Sequence, residues 1–140
     1  MSRIFWDTNL FIYLFESTGP LSKRVSALRK VMLARGDQLL TSTLSLGEIL
    51  VKPIERGDTD LARKYEEALA ATSLLIGFDV KAANNYAAIR CDRSIRAPDA
   101  MQLACASAAG VDLFITNDSR LHDKHIAGIQ FIVPLEHAPL

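Results

Sequence analysis

Arg3-Ile4-Phe5-Trp6-Asp7-Thr8-Asn9 opens the chain with a short apolar run that stops at an acid. Asp112-Leu113-Phe114-Ile115-Thr116-Asn117-Asp118 repeats that pattern near the other end. Neither run alternates apolar with polar residues, so each reads as a strand buried on both faces, the habit of a parallel sheet. Both finish in short polar residues suited to a turn. In an open α/β sheet, strand ends and the helix starts that follow them lie on one edge, where ligand sites form. Asp7 and Asp118 are therefore expected on the same edge.

The segments between them alternate in kind. Leu10–Phe15 reads as a short helix, broken by Ser17-Thr18-Gly19-Pro20. Leu21, Val25, Leu28 and Met32 recur at helical spacing as far as Gly36, with Lys23, Arg24, Arg29, Lys30 and Arg35 forming a solvated face. Gln38–Thr41 reads as a strand. Either Ser42 or Ser45 can cap the next helix, which is expected to stop at Pro53. Asp58 and Asp79 cap two more helices, with strand character from Ser73 to Phe78 between them. Pro98 suits the start of a helix ending at Gly110, and Ile129–Val133 reads as a last strand. Strands alternating with helices imply βαβ crossovers and a sheet covered on both faces. The expectation is a three-layer α/β/α fold with a central, mainly parallel sheet.

With 140 residues, the chain is read as one domain, 1–140. Hydrophobic residues at 49% and charged ones at 23% describe a folded globular protein rather than a disordered one. Sixteen Lys+Arg balance 16 Asp+Glu, so long-range steering towards a polyanion is absent and any such site needs local patches or a bound cation. Cys91 and Cys105 form no metal or disulfide pattern, which fits a reducing cytoplasm. Arg3, Asp7 and Glu16 interrupt the N-terminal apolar stretch, so neither a signal peptide nor a membrane span is expected.

Four acids stand where an element meets a turn: Asp7, Glu48, Asp99 and Asp118. Each has an ordinary use. Asp7 and Asp118 can satisfy turn N–H groups, Glu48 can complete a capping box with Ser45, and Asp99 suits the positive end of a helix dipole. Their shared topological position is what argues for a site. Two carboxylates about 4 Å apart repel by on the order of 4 kcal/mol at an effective dielectric of 20. Protonation or a hard cation must relieve that, and an all-oxygen donor set suits Mg²⁺ or Mn²⁺. Thr8 and Asn9 can orient a carboxylate, or merely form the turn. Arg90, Arg93 and Arg96 precede Asp99 and can either meet phosphates beside it or remain surface charges. His122-x-x-His125 lacks further ligands and reads as a solvated loop, and His137 as a bland terminal residue.

With these segments in view, the chain resembles the PIN-domain ribonucleases, and within them the VapC-type toxins of toxin–antitoxin pairs. The resemblance runs over essentially the whole length. It is carried by the strand ending in Asp7-Thr8-Asn9, by Ser42-Thr43-Leu44-Ser45-Leu46-Gly47-Glu48-Ile49-Leu50, by Pro98-Asp99-Ala100-Met101-Gln102-Leu103-Ala104, and by Phe114-Ile115-Thr116-Asn117-Asp118. It implies a PIN-like fold and one or two Mg²⁺ or Mn²⁺ ions held by Asp7, Glu48, Asp99 and Asp118, with Thr116 supporting the acids by hydrogen bonding. It further implies RNA cleavage, a homodimer, and a small antitoxin that covers the active site. Many relatives carry another acid just beyond the last motif. Ser119 and Arg120 stand here instead, which weakens the case for a second ion.

The chemistry so implied is phosphodiester hydrolysis, in which a carboxylate-held metal activates water and stabilises charge on the scissile phosphate. Three rivals remain. An aspartyl-phosphate phosphohydrolase wants a second acid two positions after Asp7, where Asn9 stands. A receiver domain wants adjacent early acids and a late strand-end Lys. A non-catalytic α/β interaction module would use all four acids as caps and turns.

Overall fold

A computed structural model describes residues 1–139. The strands are β1 (Arg3–Trp6), β2 (Gln38–Ser42), β3 (Leu74–Ile76), β4 (Val111–Ile115) and β5 (Ile129–Val133). The helices are α1 (Thr8–Glu16), α2 (Gly19–Arg35), α3 (Thr43–Glu55), α4 (Thr59–Thr72), α5 (Val80–Ile89) and α6 (Ala97–Ala109). All strand pairs are parallel, in the order β3-β2-β1-β4-β5. The chain therefore builds outward from β1 on one side, then crosses over to add β4 and β5 on the other. That reversal puts the topological switch between β1 and β4, where α/β sheets open a crevice at their carboxyl edge.

Side-chain alternation along β1 separates the two cores. Phe5 points to one face and stacks on Phe114 with ring centroids 5.0 Å apart, in a core completed by α5 and α6. Ile4 and Trp6 point to the other, where Leu10, Val25, Leu28 and Leu69 from α1, α2 and α4 cover them. The expected three layers follow directly from this two-sided burial. Trp6 is wholly buried, and its Nε1 has no hydrogen-bond partner among the described residues.

Local expectations met three corrections. Helix α3 runs through Pro53 to Glu55 instead of stopping there. Pro53 sits in the last turn, where its missing N–H removes only one bond. The end is closed by Arg56 N–H to Lys52 C=O at 3.1 Å and Asp58 N–H to Pro53 C=O at 2.9 Å. The basic face of α2 is not simply solvated. Arg24 donates to the carbonyls of Leu135 and Glu136, Arg29 to that of Thr72, and Arg35 to that of Pro139, so the helix clamps later segments. On the same helix Val25, Leu28 and Met32 are buried as expected, but Leu21 is exposed and Ser22 is buried in its stead.

Candidate active site

The acids reach one cleft from four elements. Asp7 follows β1 and N-caps α1, its Oδ1 accepting from Thr8 N–H at 2.7 Å. Glu48 lies in the second turn of α3, because Ser42 is the cap and accepts from Ser45 N–H at 3.3 Å. The capping-box role for Glu48 is thereby excluded. Asp99 lies in the first turn of α6. Asp118 follows β4 and caps a single 3-10 turn, Ser119–Leu121. These four, with Thr8, Asn9, Ile12, Pro98 and Gln102, line a cleft of about 290 Å³. It lies at the carboxyl edge of β1 and β4, whose ends are joined by Asp7 N–H donating to Ile115 C=O at 3.1 Å.

Each acid is held differently. Thr116 Oγ1 donates to Asp7 Oδ2 at 2.8 Å, so both Asp7 oxygens are engaged while no cation touches them among the described residues. Burial pushes the Asp7 carboxyl above the usual carboxylate range against those two hydrogen bonds, and the charges of Glu48 and Asp118 push it further. Asp99 is raised as well, first by burial, then by Asp118 and Asp7. Asp118 goes the other way, because Arg120 grips both its oxygens, at 2.9 Å from Nε and 2.6 Å from Nη2. Glu48 is exposed as a residue, but its Oε1 accepts from Thr8 Oγ1 at 2.7 Å.

Beneath the acids lies a buried polar layer that the sequence reading missed. Gln102, only 3% exposed, accepts from Ser42 Oγ through Oε1 and donates from Nε2 to Ser45 Oγ at 2.8 Å and Thr8 Oγ1 at 3.2 Å. Ser45 and Thr41 share a hydroxyl contact of 2.8 Å, and Thr41 Oγ1 donates to Trp6 C=O at 2.9 Å. Thr8, at the cleft, links this layer to Glu48. The available signal was Gln102 itself: one helical turn beyond Asp99, it is the polar break in an otherwise apolar helix.

The remaining residues divide. Arg96, the N-cap of α6, lies close enough for its charge to oppose the rise at Asp99 and add to the lowering at Asp118. Arg90 spends Nη1 on Ile95 C=O at 2.9 Å, and Arg93 is exposed away from the cleft lining. Asn9 is exposed at the cleft. His122 is not the solvated residue expected, since its Nε2 meets Thr116 C=O at 2.7 Å behind the Asp118 turn. His125 is exposed, and the pair joins no group of three or more possible metal ligands among the described residues.

A family model described as the PIN domain matches residues 4–126. The chain belongs to the PIN-domain family. No curated protein sequence matches it significantly. Among solved structures, a chain of DNA-bound VapBC from Salmonella typhimurium superposes with TM-score 0.73 at 18% identity, covering 96% of this chain and 99% of that one. VapBC2 of Rickettsia felis, bound to a promoter DNA fragment, gives 0.70 at 15%, covering 94% and 98%. VapBC-5 of Mycobacterium tuberculosis gives 0.62 at 21%, covering 96% and 99%. At these identities the superpositions establish the PIN fold.

A divalent cation fits the donor chemistry of the cleft. Hard oxygen donors from four elements face one space, and burial with mutual repulsion holds two of them above their ordinary pKa values. Among the described residues no three acids stand close enough, as placed, to share one ion. Asp118 is drawn onto Arg120 instead.

Proposed function

We propose that this PIN-domain protein is a metal-dependent endoribonuclease that hydrolyses RNA phosphodiester bonds, acting as the toxin of a type II toxin–antitoxin pair. The observation that carries the proposal is the convergence of Asp7, Glu48, Asp99 and Asp118 on one cleft at the β1/β4 switch point. Asp7, Asp99 and Asp118 are the principal ligands for Mg²⁺ or Mn²⁺, with Glu48 a further ligand, directly or through water. One or two bound ions would lower the pKa of a water and stabilise charge on the scissile phosphate.

The chain's own residues prepare that chemistry. Thr116 and the Thr8 N–H fix the Asp7 carboxylate, and Thr8 Oγ1 fixes Glu48 from below. The rigid layer under Gln102 keeps these donors from relaxing apart, which is how a site is made ready before its ligand arrives. Without a cation the pocket repels a phosphodiester, so positive charge must come first. Arg96, whose charge reaches Asp99 and Asp118, would meet a backbone phosphate, with Arg93 and Arg90 as further phosphate contacts.

An apolar groove of about 360 Å³ adjoins the cleft and shares Glu48 and Ile12 with it. Phe15, Ile49, Leu61 and Tyr65 help to line it. A small antitoxin seated there would cover the acids, in keeping with the toxin–antitoxin proteins among the structural neighbours. Homodimerisation and a cytoplasmic location complete the proposal; no helix of the described residues is long and apolar enough to cross a membrane. Incubating total RNA with the protein, with Mn²⁺ or chelator and with Asp7→Asn, tests it. Cleavage that needs both the metal and Asp7 supports the reading, and cleavage indifferent to either contradicts it.

A further inference from the structure

Arg120 is the one cation in contact with the acidic cleft among the described residues. Its guanidinium fork closes on both oxygens of Asp118, and Nη2 also lies 3.9 Å from Asp99 Oδ2. The Arg120 backbone N–H adds a bond to Asp118 Oδ1 at 3.1 Å. Both oxygens of Asp118 are therefore engaged by the next residue but one in the chain. A planar fork meeting a carboxylate edge-on is the strongest geometry such a pair adopts. Yet the Arg120 side chain is 49% exposed, and exposed ion pairs are weak, so the grip is easily exchanged.

We propose that Arg120 is a built-in counter-ion of the metal site: it neutralises Asp118 and Asp99 while no divalent cation is bound, and it releases Asp118 when one arrives. The inference rests on the metal-dependent reading above and goes beyond it by making a residue of the chain itself a competitor of the cofactor. It accounts for two placements at once. Asp118 is paired with Arg120, and no three acids among the described residues are grouped closely enough to chelate. Asp7 is touched by no such cation among the described residues and keeps the repulsion of Glu48 and Asp118. Occupancy by metal is then set by competition at Asp118.

The opposite role is also physically possible. If Arg120 instead holds Asp118 in its ligating position, removing it loosens a ligand and weakens the metal. The sign of the change separates the two. Calorimetric titration of Mn²⁺ into the intact protein, Arg120→Ala, Arg120→Lys and Asp7→Asn provides the test, with chelator-stripped melting curves to confirm that each variant is folded. Arg120→Ala should bind Mn²⁺ roughly two- to fivefold more tightly, the range an exposed, well-aligned ion pair supplies. Arg120→Lys, a cation without the fork, should fall between, and it serves if the alanine variant does not fold. Unchanged or weaker binding in Arg120→Ala, while the parent binds and Asp7→Asn does not, overturns the counter-ion role alone. Absence of Mn²⁺ binding by the parent overturns the metal-dependent reading and this inference together.

Discussion

Thr116 Oγ1 donates to Asp7 Oδ2 at 2.8 Å, and the same hydroxyl accepts from Asp118 N–H at 3.1 Å. One buried side chain thus fixes the acid that ends β1 and the turn that carries the acid after β4. The two strands are sheet neighbours although 109 residues separate Thr116 from Asp7. The site is positioned by the sheet first and by hydrogen bonds second.

Asp7 carries an under-solvated charge beside Glu48 and Asp118. Asp7→Asn keeps the shape and removes the charge. In chelator at neutral pH this variant should melt higher than the parent, by about 2–4 °C, the shift that roughly 1 kcal/mol gives a domain of this size. Mn²⁺ should stabilise the parent by about 2.7 kcal/mol at a hundredfold excess over its dissociation constant and leave Asp7→Asn unmoved. Differential scanning calorimetry reads both.

The pH dependence has a definite sign. The folded Asp7 holds its proton more tightly than the unfolded chain, whose value is near 3.8, so its cost to stability is absent below that pH and grows as pH rises through the raised folded value. The melting advantage of Asp7→Asn should therefore vanish in acid and appear on the way to neutrality. Asp118 is lowered by Arg120, so its contact stabilises above 3.8 and is lost as pH falls through its depressed value. Melting curves of the metal-free proteins from acid to neutral pH check both directions.

Gln102→Ala leaves Ser42, Ser45 and Thr8 without their shared partner in a buried layer. Losing such contacts costs about 1–3 kcal/mol per buried group left unpaired. Denaturant unfolding should show that loss, and metal affinity should fall as well, because Thr8 orients Glu48 from this layer. A stability loss with unchanged metal affinity would confine Gln102 to a structural role.

Phe114→Ala removes one ring of the Phe5–Phe114 stack under α5 and α6. Loss of a buried Phe costs about 3–5 kcal/mol. The unfolding midpoint should drop accordingly, whether Mn²⁺ or chelator is present, since the side chain faces the core and not the cleft. A drop that depends on metal would place the packing in the site.

Much of this architecture is readable from local chemistry. Apolar runs ending in Asp7 and just before Asp118 announce buried parallel strands, and Asp58, Asp79 and Gly110 mark helix ends as their side-chain and backbone preferences require. What escapes is whatever depends on partners distant in sequence. Ser42 and Ser45 are equally good caps until β2 runs extended through Ser42, whose Oγ then accepts from Ser45 N–H. Pro53 stops a helix by rule, but the carbonyl bonds of residues 52–54 carry it on. Arg120 is read from the sequence only as standing where relatives carry an acid, and its contacts with Asp118 and Asp99 give its charge a consequence. His122 reads as a loop residue until Thr116 C=O is seen beside it.

The most direct measurement is cleavage of single-stranded RNA by the purified protein in Mn²⁺, compared with chelator and with Asp7→Asn in Mn²⁺. The carboxylate site predicts cleavage in the first condition and none in the other two, with Asp7→Asn folded. Equal cleavage in chelator, or by folded Asp7→Asn, would contradict it.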